Sequence, residues 1–184
     1  KIRGAYNKMQ NLTKEQLLKG VITSSAGNHA QGVALSALRL KTKATILMPI
    51  TTPIVKVNAV KELKAEVILF GDNYDESYLE AQRLSEERNL SFIHPFNDPD
   101  VIAGQGTIGV ELLSQLKDPP EAIYIAVGGG GLIAGVSIYI KNLWPMTKII
   151  GIEPEDADAM TRSLKEKKII ELDNVGLFAD GVAV

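Results

Sequence analysis

Cysteine is missing altogether from the 184 residues, and with it go disulfides, thiolate metal sites and a cysteine nucleophile. That absence fits a reducing compartment. Histidine is scarce, with two residues, and there is one tryptophan. Neither sign of charge dominates: 20 basic against 22 acidic residues leave a net charge of −2. No basic face is on offer to nucleic acid or to an anionic membrane. No apolar run is long enough to span a bilayer, and no signal-peptide pattern opens the chain. A hydrophobic fraction of 45% is enough for a sizeable core in one domain or two small ones. The chain opens on Lys1 without a methionine and stops at Val184 within an apolar run, which reads as an excerpt of a longer protein.

The most informative stretch runs from Ala122 to Gly135. Its first half is apolar and β-branched, as expected of a strand buried on both faces of a parallel sheet. Gly128, Gly129, Gly130 and Gly131 follow without interruption, and then Leu132, Ile133, Val136, Tyr139, Ile140 and Leu143 recur at helical spacing. Consecutive residues without a Cβ let backbone N–H groups converge, and the helix adds its unpaired N–H groups and positive dipole end. Such a loop suits a phosphate. A plain strand-to-helix turn needs one or two glycines, not four.

Elsewhere β and α signals alternate. Ala5, Met9 and Leu12 mark a short helix, and Thr13 to Gln16 has capping-box spacing. Val21–Thr23 reads as a strand, Ser24–Asn28 as a turn, and a helix to about Leu40 has Ala30, Val33, Ala34, Ala37 and Leu38 on its core face. Strands are expected at Ala44–Met48, Glu66–Phe70, Ser91–Ile93 and Lys148–Ile152. Helices are expected from Pro53 (in the first turn), over Tyr74–Arg88, over Val101–Leu116, and after Asp156 or Asp158 as cap. This order implies an α/β fold, with parallel sheets covered by helices and ligands at the strands' carboxyl ends.

A second loop, Ser24-Ser25-Ala26-Gly27-Asn28-His29, also joins a strand to a helix. Its small residues permit close approach, and its N–H groups at a helix start could hold a carboxylate. By itself Ser-x-Gly-Asn is an ordinary capped turn. Paired with the glycine loop it suggests a ligand with a phosphate at one end and a carboxylate near the other. Spacing leaves a rival open: Gly129-x-Gly131-x-x-Ala134 followed by Glu153 matches a relaxed dinucleotide fingerprint. That rival accounts for neither the Asn28 loop nor Lys1.

Four motifs in order, Lys1-Ile-Arg-Gly-Ala5, Ser25-Ala-Gly-Asn-His-Ala-Gln-Gly32, Gly104-Gln-Gly-Thr-Ile-Gly109 and Gly128-Gly-Gly-Gly-Leu132, closely resemble the threonine dehydratase family. The resemblance extends to Phe178-Ala-Asp-Gly181. It implies a two-lobed, tryptophan-synthase-β-like (fold type II) parallel-sheet architecture truncated at both ends. A small lobe would span 12–96, with 1–11 and 97–184 in the large cofactor-binding lobe. It implies pyridoxal 5′-phosphate as cofactor, with Lys1 as the Schiff-base lysine and the base at Cα. Gly128, Gly129, Gly130, Gly131 and Leu132 would bind the cofactor phosphate, and Asn28 would lie beside the ring oxygen. Ser25, Ala26, Gly27, Asn28 and His29 would grip the substrate carboxylate, His29 through its backbone N–H rather than its imidazole.

The implied reaction turns L-threonine, and L-serine as a further substrate, into 2-oxobutanoate or pyruvate and ammonia, at the first step of isoleucine biosynthesis. Serine racemase- and serine dehydratase-like enzymes are the related alternative. The resemblance also implies a homo-oligomer, dimer or tetramer, in the cytoplasm or a plastid. The polar partner of the cofactor's ring nitrogen would come from beyond Val184, so the 184 residues alone are expected to be weakly active or inactive. His94 is assigned a structural role. Serine racemase-like relatives hold a cation in the Glu-Pro region; here Glu153 is present, but Ala159 stands at the final Asp position. No metal is assigned, and the acids from Glu153 to Asp158 read as a capped helix start.

Overall fold

The computed structural model describes residues 1–172, 175, 176, 179, 181 and 182. Two helices, α1 (Ile2–Gln10) and α2 (Lys14–Lys19), lead into β1 (Val21–Ser24), α3 (Asn28–Leu40), β2 (Ala44–Met48), α4 (Ile54–Glu62), β3 (Glu66–Leu69), α5 (Tyr74–Glu87) and β4 (Ser91–Phe92). Then come α6 (Pro99–Gln115), β5 (Ala122–Ala126), α7 (Gly131–Leu143), β6 (Lys148–Ile152) and α8 (Ala159–Glu166). The chain divides into two compact units, Lys1–Pro95 and Phe96–Val184.

The first unit is built on four strands in the order β3-β2-β1-β4, all parallel, with Val21 opposite both Ala44 and Ser91. Side chains alternate across the sheet, so each strand feeds two cores. Val21, Ala44, Ile46 and Met48 meet Ala5 and Met9 of α1, Val33 and Ala37 of α3, and Val57 and Val60 of α4. On the opposite face Ile22 and Leu47 meet Ala81 and Leu84 of α5. Every residue of β1 and β2 is buried, which is what a central parallel strand requires. Each fully buried Val, Ile or Leu contributes about 1.5–3 kcal/mol.

Local signals act as expected at several starts. Thr13 and Gln16 form both halves of the capping box at α2. Pro53 is one residue earlier than expected, as N-cap of α4, where its missing N–H is equally harmless. Leu38 departs from its expected place: it is 48% exposed. The buried face of α3 runs from His29 to Ala37 around Val33, and Leu38 lies about 140° round from Val33 at 100° per residue.

In the second unit β5 and β6 pair in parallel, Ala122 opposite Lys148. Helices α6 and α7 cover the face carrying Ile123 and Ile125 through Ile108, Leu112, Val136 and Ile140. The expectation that β5 is buried on both faces fails at Tyr124, which points the other way and is 68% exposed. The Gly104–Gly109 motif lies inside α6, where its glycines permit the crossing with α7. A Cβ on Gly106 would stand 3.0 Å from the Gly135 carbonyl oxygen, and one on Gly135 would collide with the Ile102 carbonyl. The cap of α8 also differs from expectation. Asp158, at the N-cap, gives no side-chain cap bond. Glu153 takes the role from just after β6: Oε1 accepts from the Met160 N–H at 2.9 Å, and Oε2 accepts from the Thr161 N–H at 2.8 Å and its hydroxyl at 2.7 Å.

Candidate functional site

In the first unit the candidate residues gather around one short stretch of main chain. Lys1 stands immediately before α1, and its ε-amine donates to the Pro95 carbonyl at 2.9 Å. Residue 1 as a whole is exposed, yet burial around the ε-amine lowers its pKa from the ordinary lysine value. Two residues before Pro95, the Ile93 carbonyl accepts the Thr23 hydroxyl at 2.7 Å and His29 Nε2–H at 3.0 Å. A carbonyl only accepts, so Nε2 carries the proton and the neutral ring presents Nδ1 as a bare acceptor. Nδ1 is buried without a hydrogen-bond partner. Burial pushes the His29 pKa down to about 3, reinforced by the positive charge of Lys1 and opposed by the Ile93 bond.

Helix α1 reaches this stretch because it lies closely on α3. A Cβ on Gly32 would stand 3.2 Å from Ile2 Cα, so the glycine lets the segment after Lys1 press against the first turns of α3. Ala5 and Met9, both fully buried, hold the other end of the contact.

The loop from Ser24 to His29 leaves the carboxyl end of β1. Ser77 of α5 donates its hydroxyl to the Tyr74 carbonyl at 2.9 Å, so the 2.9 Å contact between Ser77 and Ser24 hydroxyls has Ser24 as donor. The strand end is thereby pinned to α5. Ser25 Oγ accepts from the Gly27 N–H at 3.2 Å, closing a tight turn. The first ladder bond of α3 is Gln31 N–H to the Gly27 carbonyl. The N–H groups of Asn28, His29 and Ala30 therefore precede the ladder and face outward from a positive helix end. Asn28 is exposed, and its amide offers both a donor and an acceptor. A carboxylate suits this turn.

In the second unit the glycine loop joins β5 to α7. Gly130 has φ +82°, in the left-handed region, and α7 starts at Gly131. A left-handed residue followed by a right-handed one turns successive N–H groups into a concave nest. The first ladder bond is Ala134 N–H to the Gly130 carbonyl at 3.0 Å, so the N–H groups of Gly131, Leu132 and Ile133 precede it. A phosphate fits here. The glycines also have an internal reason: a Cβ on Gly129 would collide with the Phe96 ring, and one on Gly131 would stand 2.7 Å from the Phe96 carbonyl oxygen. Bare glycine lets the loop lie against Phe96, and at Gly130 a Cβ would stand 2.7 Å from Met160 Cε.

His94 packs edge-on to Tyr78 at 6.1 Å and Phe92 at 6.3 Å between ring centres, a structural placement. Among the described residues no cluster of three or more His, Asp or Glu could hold a metal ion. No helix of the described residues is long and apolar enough to cross a membrane. Of the motif at Phe178-Ala-Asp-Gly181, Phe178 and Asp180 lie outside the described residues. The groups that sequence reasoning missed are Thr23 and the carbonyls of Ile93 and Pro95. A main-chain carbonyl carries no sequence signal; the alternation that buries Thr23 in β1 was the available hint.

Comparison with known proteins bears on this geometry. A family model described as "Pyridoxal-phosphate dependent enzyme" matches residues 1–184. The biosynthetic, chloroplastic threonine dehydratase of Arabidopsis thaliana is 58% identical over 184 residues, covering the whole of this chain and 31% of that protein. The structure of the processed form of threonine deaminase isoform 2 from Solanum lycopersicum superposes with a TM-score of 0.96 at 57% identity, over all of this chain and 53% of that one. Maize serine racemase follows with a TM-score of 0.94 at 38% identity, covering 99% of this chain and 55% of the other. The chain therefore spans under a third of the Arabidopsis relative and about half of the tomato chain.

Proposed function

The chain belongs to the pyridoxal-phosphate-dependent enzyme family, and from that membership we propose that it carries the dehydratase chemistry of threonine, with Lys1 as the reacting amine. The observation that carries the reading is the Lys1 ε-amine, held at the Pro95 carbonyl where burial lowers its pKa. An amine must be neutral to attack an aldehyde or to take a proton from carbon, and burial raises its neutral fraction. When bound, pyridoxal phosphate supplies an aldehyde that condenses with amines and a conjugated ring that spreads the charge left at Cα.

The remaining work falls to the chain. The N–H groups of Gly131 and Leu132, with the loop from Gly128 to Gly130, hold the cofactor phosphate at the positive end of α7. Asn28 would hold the cofactor ring oxygen through its amide. The loop of Ser25, Ala26, Gly27, Asn28 and His29 holds the substrate carboxylate, fixing which Cα bond faces the base. Lys1 Nζ then takes the α-proton. Overall, threonine loses its amine as ammonia and ends as 2-oxobutanoate, the water lost with the β-hydroxyl being regained on hydrolysis. This reading displaces the dinucleotide one for Gly129 to Ala134. It assigns 12–96 to a small lobe and 1–11 with 97–184 to a large one in the intact protein. It also has the enzyme act as a homo-oligomer at the first step of isoleucine biosynthesis, a role drawn from relatives named biosynthetic. The compartment is the cytoplasm, or the plastid in a plant, in keeping with the absence of cysteine.

A second reading, racemisation of serine, draws on the likeness to maize serine racemase. One experiment separates the two. The full-length protein is given L-threonine and L-serine, with and without isoleucine, while 2-oxo acid, ammonia and D-serine are measured. Borohydride reduction and peptide mapping then locate the pyridoxyl group. Release of 2-oxobutanoate with the label on Lys1 supports the proposal; D-serine without 2-oxo acid favours the racemase, and a label elsewhere overturns the role of Lys1.

A further inference from the structure

The first turn of α3 contains a ring that the proposed chemistry does not use. The His29 side chain is buried, at 2% exposure, and gives one hydrogen bond, from Nε2–H to the Ile93 carbonyl. Its other nitrogen is left buried and unpartnered. A leucine would fill similar space without stranding an acceptor. What the imidazole supplies that an apolar side chain cannot is the bond to Ile93. That carbonyl lies two residues from the one that receives the Lys1 amine, on the same main-chain stretch.

We propose that the His29 imidazole is a positioning residue for the Lys1 ε-amine: by holding the Ile93 carbonyl it fixes the stretch through Pro95, on which the amine rests. The inference rests on the reading of Lys1 as the reacting amine and adds to it a role for a side chain expected to act through its backbone alone. The Thr23 hydroxyl shares the Ile93 carbonyl, and Ile93 N–H is bonded to the Ile22 carbonyl. The stretch is thus anchored to β1 on one side, and His29 ties it to α3 on the other. The ionisable side chains acting on His29 are Lys1 and His94. A protonated ring would add a further positive charge there, so the ring works as a neutral donor.

The test reads Lys1 directly. In the cofactor-free full-length protein, labelling of Lys1 by fluorodinitrobenzene is followed by mass spectrometry as a function of pH, for wild type, His29→Leu, His29→Gln and His29→Asn. All variants keep the backbone N–H of residue 29, so the carboxylate loop retains its donor. The glutamine amide can place its N–H near the position of Nε2; that of asparagine falls short. Loosening the stretch lets water reach the amine, and its pKa recovers toward the ordinary lysine value. The expected result is a labelling midpoint moved to higher pH in the His29→Leu and His29→Asn proteins, with labelling at pH 8 slowed about fivefold, the worth of one hydrogen bond. His29→Gln is expected within about twofold of wild type, well inside that single-bond effect. If His29→Leu does not fold, the Gln and Asn variants carry the comparison. Equal labelling profiles for those two, or a wild-type profile in folded His29→Leu, overturn the proposal. Should borohydride place the pyridoxyl group elsewhere while the His29 variants still shift Lys1 labelling, the role of Lys1 in the chemistry fails and the positioning stands.

Discussion

Phe96 lies directly beneath Gly129, its ring filling the volume that a β-carbon on residue 129 would need. The loop offered to a phosphate is therefore seated on an aromatic plate, and its shape depends on that plate as much as on glycine's backbone freedom. Gly129→Ala in the full-length protein is expected to lower stability by about 1–3 kcal/mol, the range for inserting a methyl into filled space. Cofactor affinity should fall with it, since the N–H groups ahead of α7 lose their alignment. Shrinking the plate with Phe96→Leu should recover part of both losses, a coupling of about 1 kcal/mol or more in a double-mutant cycle. Denaturant unfolding and cofactor titration check it; strict additivity of the two substitutions would mean that the loop does not rest on the ring.

The crossing of α6 and α7 gives a contrast between two glycines. A Cβ on Gly135 would collide with the main-chain carbonyl of Ile102, which cannot step aside. A Cβ on Gly109 would stand 2.9 Å from Cδ1 and 3.2 Å from Cβ of Tyr139, a contact relieved by turning the ring and a shift of a few tenths of an ångström. Replacing glycine by alanine inside a helix gains about 1 kcal/mol of helix propensity. Gly109→Ala is therefore expected within about 1 kcal/mol of wild type, and Gly135→Ala destabilised by about 2 kcal/mol or more after that gain. Thermal unfolding of both variants decides; equal midpoints would show that the crossing has slack.

Much of this was legible in the sequence, for reasons that are local. The side chains of Thr13 and Gln16 each accept from the other's backbone N–H within one turn, so their spacing suffices. The alternation of apolar runs with helical stripes anticipated the parallel strands, and four glycines before a helix announced the loop at Gly130. What stayed hidden depends on partners distant in the chain. Nothing in Gly104–Gly109 says that a second helix must pass within reach of Gly106, because the reason is Gly135. Tyr124 looked buried because its run is apolar; its exposure follows from which face α6 and α7 cover. The hold of Ile93 on His29 and Thr23 runs through a main-chain oxygen that any residue would supply.

The carboxylate of Glu153 holds the start of α8 through the N–H groups of Met160 and Thr161. Removing a side-chain cap costs about 1 kcal/mol, within a range of roughly 0.5–2. Glu153→Ala should lose about that much, and Glu153→Gln less, because one amide oxygen still accepts. Asp158→Ala is expected near neutral: it caps nothing, and its pair with Arg162 is a surface one. Hydrogen exchange at Met160 and Thr161 is the direct measurement. Faster exchange in the Asp158 variant than in the Glu153 variant would reverse the assignment of the cap.

The buried His29 also makes stability depend on pH in a window of its own. Its pKa is about 3 in the folded protein and near 6.5 when unfolded, so the unfolded chain binds the extra proton between those values. Where the unfolded state holds more protons, stability rises with pH; it is complete above about pH 6.5 and is lost as pH falls toward 3. Between about pH 6.5 and pH 5 the loss should be about 1.5–2 kcal/mol. The acids with lowered pKa values, Glu15, Glu80 and Asp158, lose their contribution only below about pH 4.5 and leave this window clear. His29→Gln removes the titrating ring, so unfolding free energies measured across this range should be nearly flat for the variant and sloped for wild type. Parallel curves for the two proteins would mean that the ring takes up its proton without leaving the fold.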